Sequence, residues 1–188
     1  MSAPQNLGDL KPPGSNKAGH RYTSCSRNVQ KKLAAASSCY GFEALLDKYV
    51  ALCREAEYKI DVYLVARPMI VAGESTQPYT VGVHVARIDR GRLLPLLGLL
   101  SLAHVEQLQP RRHYVVVTDR AALLFVYGKD IYSGSVLELN EDEHCTGLPL
   151  VVLNTLYEPL GYGRRLRKHG ELLIRNVLDA GWYLRSGV

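Results

Sequence analysis

Apolar and polar positions divide the chain into stretches with different periods. Up to about residue 30 there is almost no apolar periodicity. Pro4, Pro12, Pro13, Gly8, Gly14 and Gly19 stand among small polar residues there, and such a segment cannot bury enough surface to offset its ordering entropy. Residues 1–32 are therefore expected to form a flexible tail, with order beginning near residue 40. Phe42, Leu45, Leu46, Tyr49, Leu52 and Cys53 recur at helical intervals and predict one amphipathic helix. Tyr58 to Leu64 alternates like a strand, Gly73 to Pro78 reads as a turn, and Tyr79 to Val85 predicts a second strand with Tyr79, Val81, Val83 and Val85 on one face. Residues 92–108 read as a helix that Pro95 kinks or delays. Pro110-Arg111-Arg112 is a plausible domain joint.

Beyond residue 112 the elements shorten. His113 to Thr118 predicts a Val-rich strand. A helix follows through Val126, capped by Thr118 or Asp119 and ended near Gly128. Ile131 to Leu139 reads as a strand broken at Ser133-Gly134. Leu148 to Asn154 is a strongly apolar strand, Glu158 to Gly161 a turn, and Leu166, Leu172 to Ile174 and Trp182 to Leu184 complete a series of short strands. Many short strands punctuated by Gly and Pro indicate a small closed barrel, not a doubly wound sheet.

Charge and composition sharpen this picture. Lys and Arg number 23 against 18 Asp and Glu in 188 residues, a net +5 that favours an anionic partner, nucleic acid first. The tail through Lys32 carries Lys11, Lys17, Arg21, Arg27, Lys31 and Lys32 against Asp9 alone, as a phosphate-tracking arm would. Cys25, Cys39, Cys53 and Cys145 form no C-x-x-C pair, which argues against zinc. With no secretory signal at the N-terminus, reduced thiols in an intracellular protein are expected. The most apolar stretch, Leu93 to Ala103, is about half the length a membrane span needs, so it reads as a buried helix or an interface segment.

Three stretches together resemble the PUA fold: Phe125 to Gly134, Pro149 to Asn154 with Glu158 to Gly163, and Asp179 to Arg185 as a closing strand. The Phe-x-Tyr-Gly-x-x-Ile-x-x-Gly run and Pro-Leu-Gly-Tyr-Gly resemble the nuclear-import-protein-seven family of 60S-subunit biogenesis factors, and His84-Val85 with Ile88-Asp89 resembles a motif of that family's first domain. After the tail over 1–32 read from composition, the resemblance implies an α+β protein: an N-terminal α/β domain with a mostly antiparallel sheet over 33–110 and a PUA-like small β-barrel over 111–188. It implies a monomeric, non-catalytic RNA-binding factor of the nucleus and nucleolus, without cofactor or metal. The barrel would touch pre-ribosomal RNA and the first domain pre-60S assembly proteins. The alternative is an accessory protein of translation or RNA modification that acts mainly through protein contacts, with the Leu93 to Leu102 segment as its interface.

The candidate chemistry follows from both readings. Residues 113–188 are nearly neutral, but Arg164, Arg165, Arg167 and Lys168 lie within five residues, away from the acidic loop of Glu138, Glu141, Asp142 and Glu143. Guanidinium forks suit phosphate oxygens. On a strand, Arg165 and Arg167 share one face while Arg164 and Lys168 share the other. Lys129 and Arg185 are added as single cations beside matched motifs. Gly128, Gly134, Gly161 and Gly163 could let backbone approach RNA or could simply serve turns. Trp182 and Tyr183 are expected in the core, with base stacking as the alternative. Gly161-Tyr162-Gly163 starts like a dinucleotide fingerprint, but Leu166 stands where its third glycine belongs. No nucleophile–base set can be assembled, and His84 reads as a satisfied sheet residue.

Overall fold

The computed structural model describes residues 22–56, 58–67, 69, 80–168 and 170–185. The basic arm through Arg21, the turn Gly73 to Pro78, Tyr79 and His169 lie outside the described residues. The chain divides into two units. Described residues up to Tyr114 form the first together with the segment Asn140–Leu148; Val115–Leu139 and the chain from Pro149 form the second. The segment 140–148, read from sequence as part of the C-terminal domain, therefore belongs to the first unit.

In the first unit, β1 (Thr23–Ser24) precedes α1 (Arg27–Tyr40), so a helix occupies the end of the expected tail. Ser26 caps α1 by accepting from the Val29 N–H, and Gly41, left-handed at φ 80°, closes it. Val29, Leu33, Ala36 and Tyr40 are buried; these apolar positions lie four, three and four residues apart. They are the amphipathic signal that the tail reading overlooked. Arg27, Lys31 and Lys32 are thus helix residues, and Lys32 Nζ donates to the Gly91 carbonyl.

The single helix expected from Phe42 to Cys53 is instead α2 (Ala44–Lys48) followed by β2 (Tyr49–Ala56). β2 pairs along its whole length with β3 (Lys59–Ala66). Cross-strand pairing overrides a short apolar pattern that fits helix and strand alike. β4 (Val83–Asp89) starts later than the strand expected at Tyr79. β5 (Arg92–Pro95) occupies the start of the expected helix, because Arg90 and Gly91, both at positive φ, turn the chain into a two-residue hairpin pairing Asp89 with Arg92. The result is an antiparallel meander, β1-β2-β3-β4-β5. α3 (Leu97–Val105) buries Leu97, Leu99, Leu100, Leu102 and Ala103, so the leucine-rich segment is core.

The second unit holds, apart from Tyr114 and Asn140 at two strand ends, β6 (Tyr114–Val117), α4 (Asp119–Val126), β7 (Ile131–Tyr132), β8 (Val136–Asn140), β9 (Leu150–Leu153), β10 (Pro159–Lys168), β11 (Glu171–Asp179) and α5 (Trp182–Arg185). Its sheet runs β7-β11-β10-β9-β6-β8. The two edge strands β7 and β8 are joined by only three residues, Ser133–Ser135. Flat, six strands would separate the edges by about 24 Å, beyond the roughly 15 Å that this connection can reach. The sheet must curl into a barrel-like wrap, and Val115, Val117, Phe125, Ile131, Leu150, Val152 and Ile174 fill it. Thr118 caps α4 as expected. The closing segment from Trp182 is a helical turn, not a strand, and the turn expected at Glu158 to Gly161 lies at residues 154–157 with β10 already begun at Pro159.

Cysteines depart from the expectation of free thiols. Cys25 bonds Cys53 and Cys39 bonds Cys145, with Cα separations of 5.0 and 5.7 Å. Long sequence separations hid pairs that the β1–β2 register and the 140–148 segment bring together.

Candidate nucleic-acid interface

β10 and β11 form a hairpin whose register decides which cations meet. Beyond a bulge after Tyr162, Arg164 pairs with Arg175, Arg165 with Ile174, Leu166 with Leu173, Arg167 with Leu172 and Lys168 with Glu171. β9 pairs with β10 only from Pro159 to Gly163. From Arg164 onward, among the described residues, β11 is the one strand paired to β10.

The alternation expected from sequence holds. Arg165 and Arg167 lie on the face of Ile174, which belongs to the buried core, and both are exposed. Arg164 and Lys168 lie on the other face. The cluster is therefore split across the two faces instead of projecting as one group. Among the described residues, no carboxylate forms an ion pair with Arg164, Arg167 or Lys168. Sequence reasoning missed Arg175, an exposed cation directly across from Arg164. Its signal was the short connection after Lys168: a two-residue hairpin loop sets 168 against 171 and hence 164 against 175.

Arg185 does not join this group. It is bound to the buried Asp179 carboxylate at 2.7 Å and donates to the Val126 carbonyl, fastening α5 to the end of α4. In this fold Arg185 has a structural role, tying α5 to Asp179 and to the end of α4. Lys129 is exposed just past α4, where its N–H bonds the Leu124 carbonyl and Gly128 adopts φ 82° in the helix C-cap. It stands on a different element from the hairpin.

The glycines of the Pro-Leu-Gly-Tyr-Gly run serve packing. A Cβ on Gly161 would lie 2.1 Å from the Leu178 carbonyl oxygen, and one on Gly163 would lie 2.5 Å from Ile174 Cγ2. Trp182 is half-buried in α5, and the side chain of Tyr183 lies outside the described part of the molecule.

A second charged group crosses the sheet of the first unit. Asp61 on β3 accepts from Arg54 Nη2 at 2.8 Å and Arg87 Nε at 2.6 Å, and His84 Nε2 lies 3.2 Å away. Burial alone would raise the Asp61 carboxyl, but hydrogen bonds from His84, Arg87 and Arg54 hold it well below the ordinary range. Tyr63 stacks on His84 at 4.7 Å, and burial with the Asp61 charge pushes its hydroxyl up to about 12. With both oxygens of Asp61 committed to guanidinium groups, this network fixes cross-strand register instead of presenting a base.

The first unit is thus built on an antiparallel sheet with helices, and the second on a curled sheet filled by its own core. A family profile described as the UPF0113 PUA domain matches residues 113–188. A UPF0113 protein of Archaeoglobus fulgidus is 31% identical over 164 residues, covering 82% of this chain and 89% of its own length. Another, from Aeropyrum pernix, is 35% identical over 71 residues, 38% of this chain and 37% of its own. The chain belongs to the UPF0113 family. Two solved structures share the fold. A conserved PUA domain protein from Thermoplasma acidophilum superposes with a TM-score of 0.55 at 15% identity, covering 88% of this chain and 99% of that one. A hypothetical protein from Pyrococcus horikoshii superposes with 0.53 at 18% identity, covering 87% and 99%.

Proposed function

We propose that this protein binds RNA through the β10–β11 hairpin and acts as a non-catalytic factor in large-subunit ribosome assembly. One observation carries the RNA reading: Arg164 and Arg175 stand directly opposite each other, with no described carboxylate between them and with Arg167 and Lys168 on the same arm. Like charges in directly opposed positions destabilise a sheet, and a phosphate between them turns that cost into attraction. A PUA domain, as a module used for RNA, supports the same conclusion. The 60S role, pre-ribosomal RNA as ligand, assembly-protein contacts through the first unit and a nucleolar location rest on the resemblance of residues 125–134 and 159–163 to the nuclear-import-protein-seven family. The rival, a protein-only adaptor docking through its leucine-rich segment, is weakened because those leucines are buried under the first unit's own sheet.

The test is a salt titration of RNA binding by fluorescence anisotropy. With about three or four phosphates neutralised, log K falls with log salt at a slope of roughly −2 to −3. Replacing Arg164, Arg167, Lys168 and Arg175 with Ala should abolish most of that slope. A slope and affinity unchanged in that variant would remove the hairpin as the contact.

A further inference from the structure

Ile131 and Tyr132 make up β7, and their side chains alternate. Ile131 enters the core while Tyr132 stays 55% exposed. Register fixes what surrounds the ring. Tyr132 pairs with Leu173, and Leu173 pairs with Leu166, so the three form one row across three strands. Two residues to one side on the same face is the Arg164–Arg175 row, and two residues to the other is the Lys168–Glu171 row. Each step is about 7 Å. A shallow open depression of about 350 Å³ is lined by Tyr132, Lys168, Glu171, Leu172 and Leu173. An exposed aromatic thus borders an apolar floor with cations on both sides along the strands.

We propose that Tyr132 is the stacking platform for an unpaired RNA base, with Lys168 and the Arg164–Arg175 pair holding the phosphates that flank it. This rests on the RNA-binding reading above and narrows its substrate to single-stranded RNA or an unpaired loop. Glu171 decides which part of the nucleotide enters. A carboxylate repels phosphate, but it accepts a hydrogen bond from the N–H groups on a base edge. The depression therefore takes the base while the cation rows take the backbone. In a paired helix the base faces are stacked away, so Tyr132 finds no partner there.

The experiment compares the full chain with Tyr132→Phe, Tyr132→Leu and Arg164→Ala/Arg175→Ala. Binding is read by anisotropy on a short single-stranded RNA and on a blunt duplex of equal length, and the fold is checked by circular dichroism. Tyr132→Phe should bind the single strand as the native protein does. Tyr132→Leu, which keeps bulk without an aromatic face, should lose about tenfold on the single strand, within the range for one stacked base. On duplex it should change little. A 2-aminopurine base in the single strand should be quenched by the native chain and by Tyr132→Phe, but not by Tyr132→Leu. If Tyr132→Leu binds like the native protein while Arg164→Ala/Arg175→Ala weakens binding, the stacking platform is overturned and the RNA reading stands. If the native chain prefers duplex, the platform is likewise overturned. If the native chain binds neither RNA, both readings fall together.

Discussion

Asp61 sits on the central strand of its sheet with a guanidinium on either side, from Arg54 on β2 and Arg87 on β4. At 3% exposure its carboxylate has exchanged water for these donors. Removing one member of such a set leaves charges without a partner, which costs about 3–5 kcal/mol. Asp61→Asn is therefore expected to destabilise the fold by that order at pH 7 in urea unfolding. The pH dependence has a defined sign. The folded carboxyl lies below its unfolded value, so its stabilisation is complete above the unfolded pKa of about 4 and drains away as pH falls further. The gap between native and Asp61→Asn proteins should be flat from pH 7 to about 5 and narrow below about 4. A gap that stays constant into strong acid would show that Asp61 acts through shape and not charge. Arg185 teaches the complementary lesson. In sequence it reads as a lone cation beside a matched motif. In the fold it bonds the buried Asp179 carboxylate and the Val126 carbonyl, a contact that its sequence neighbourhood does not announce.

Elements were legible where the local signal and the tertiary pairing agreed. Thr118 before an apolar run, and the Ile131 to Leu139 strand broken at Ser133-Gly134, are read correctly because capping and turn chemistry are local. The alternation that separates Arg164 from Arg165 was legible for the same reason. β2 was not, since Tyr49 to Ala56 becomes a strand only when β3 pairs with it. β5 was missed although Arg90-Gly91 carries the hairpin; its start was absorbed into the apolar run that follows. That run, α3, lies against β4 so closely that a Cβ on Gly98 would stand 2.1 Å from the His84 carbonyl oxygen. Backbone cannot yield as a side-chain tip can, so Gly98→Ala must push the helix off the sheet. A loss of about 1–3 kcal/mol is expected, read as a lower melting temperature. An unchanged melt would show that α3 slides without cost.

At the scale of the chain, what sequence could not supply is distance across it. Arg175 opposite Arg164, eleven positions apart, needs only a hairpin; Cys39 bonded to Cys145 needs the whole fold, with a sequence separation of 106 residues. A crosslink stabilises mainly by restricting the unfolded chain, and the longer the loop it closes, the greater the restriction. Loop-closure entropy gives about 3.5 kcal/mol for the 28-residue separation of Cys25 and Cys53 and about 4.8 kcal/mol for the longer loop. Cys39→Ser/Cys145→Ser should therefore lose more stability in urea than Cys25→Ser/Cys53→Ser, and reductant should bring the native chain below either. The cations proposed to hold RNA lie on the β10–β11 hairpin, whose strands contain no cysteine. The salt slope of RNA binding, measured well below the melting temperature, should thus survive reduction. A slope that collapsed with the disulfides while the barrel stayed folded would place the phosphate contacts in the first unit, where α1 carries Arg27, Lys31 and Lys32.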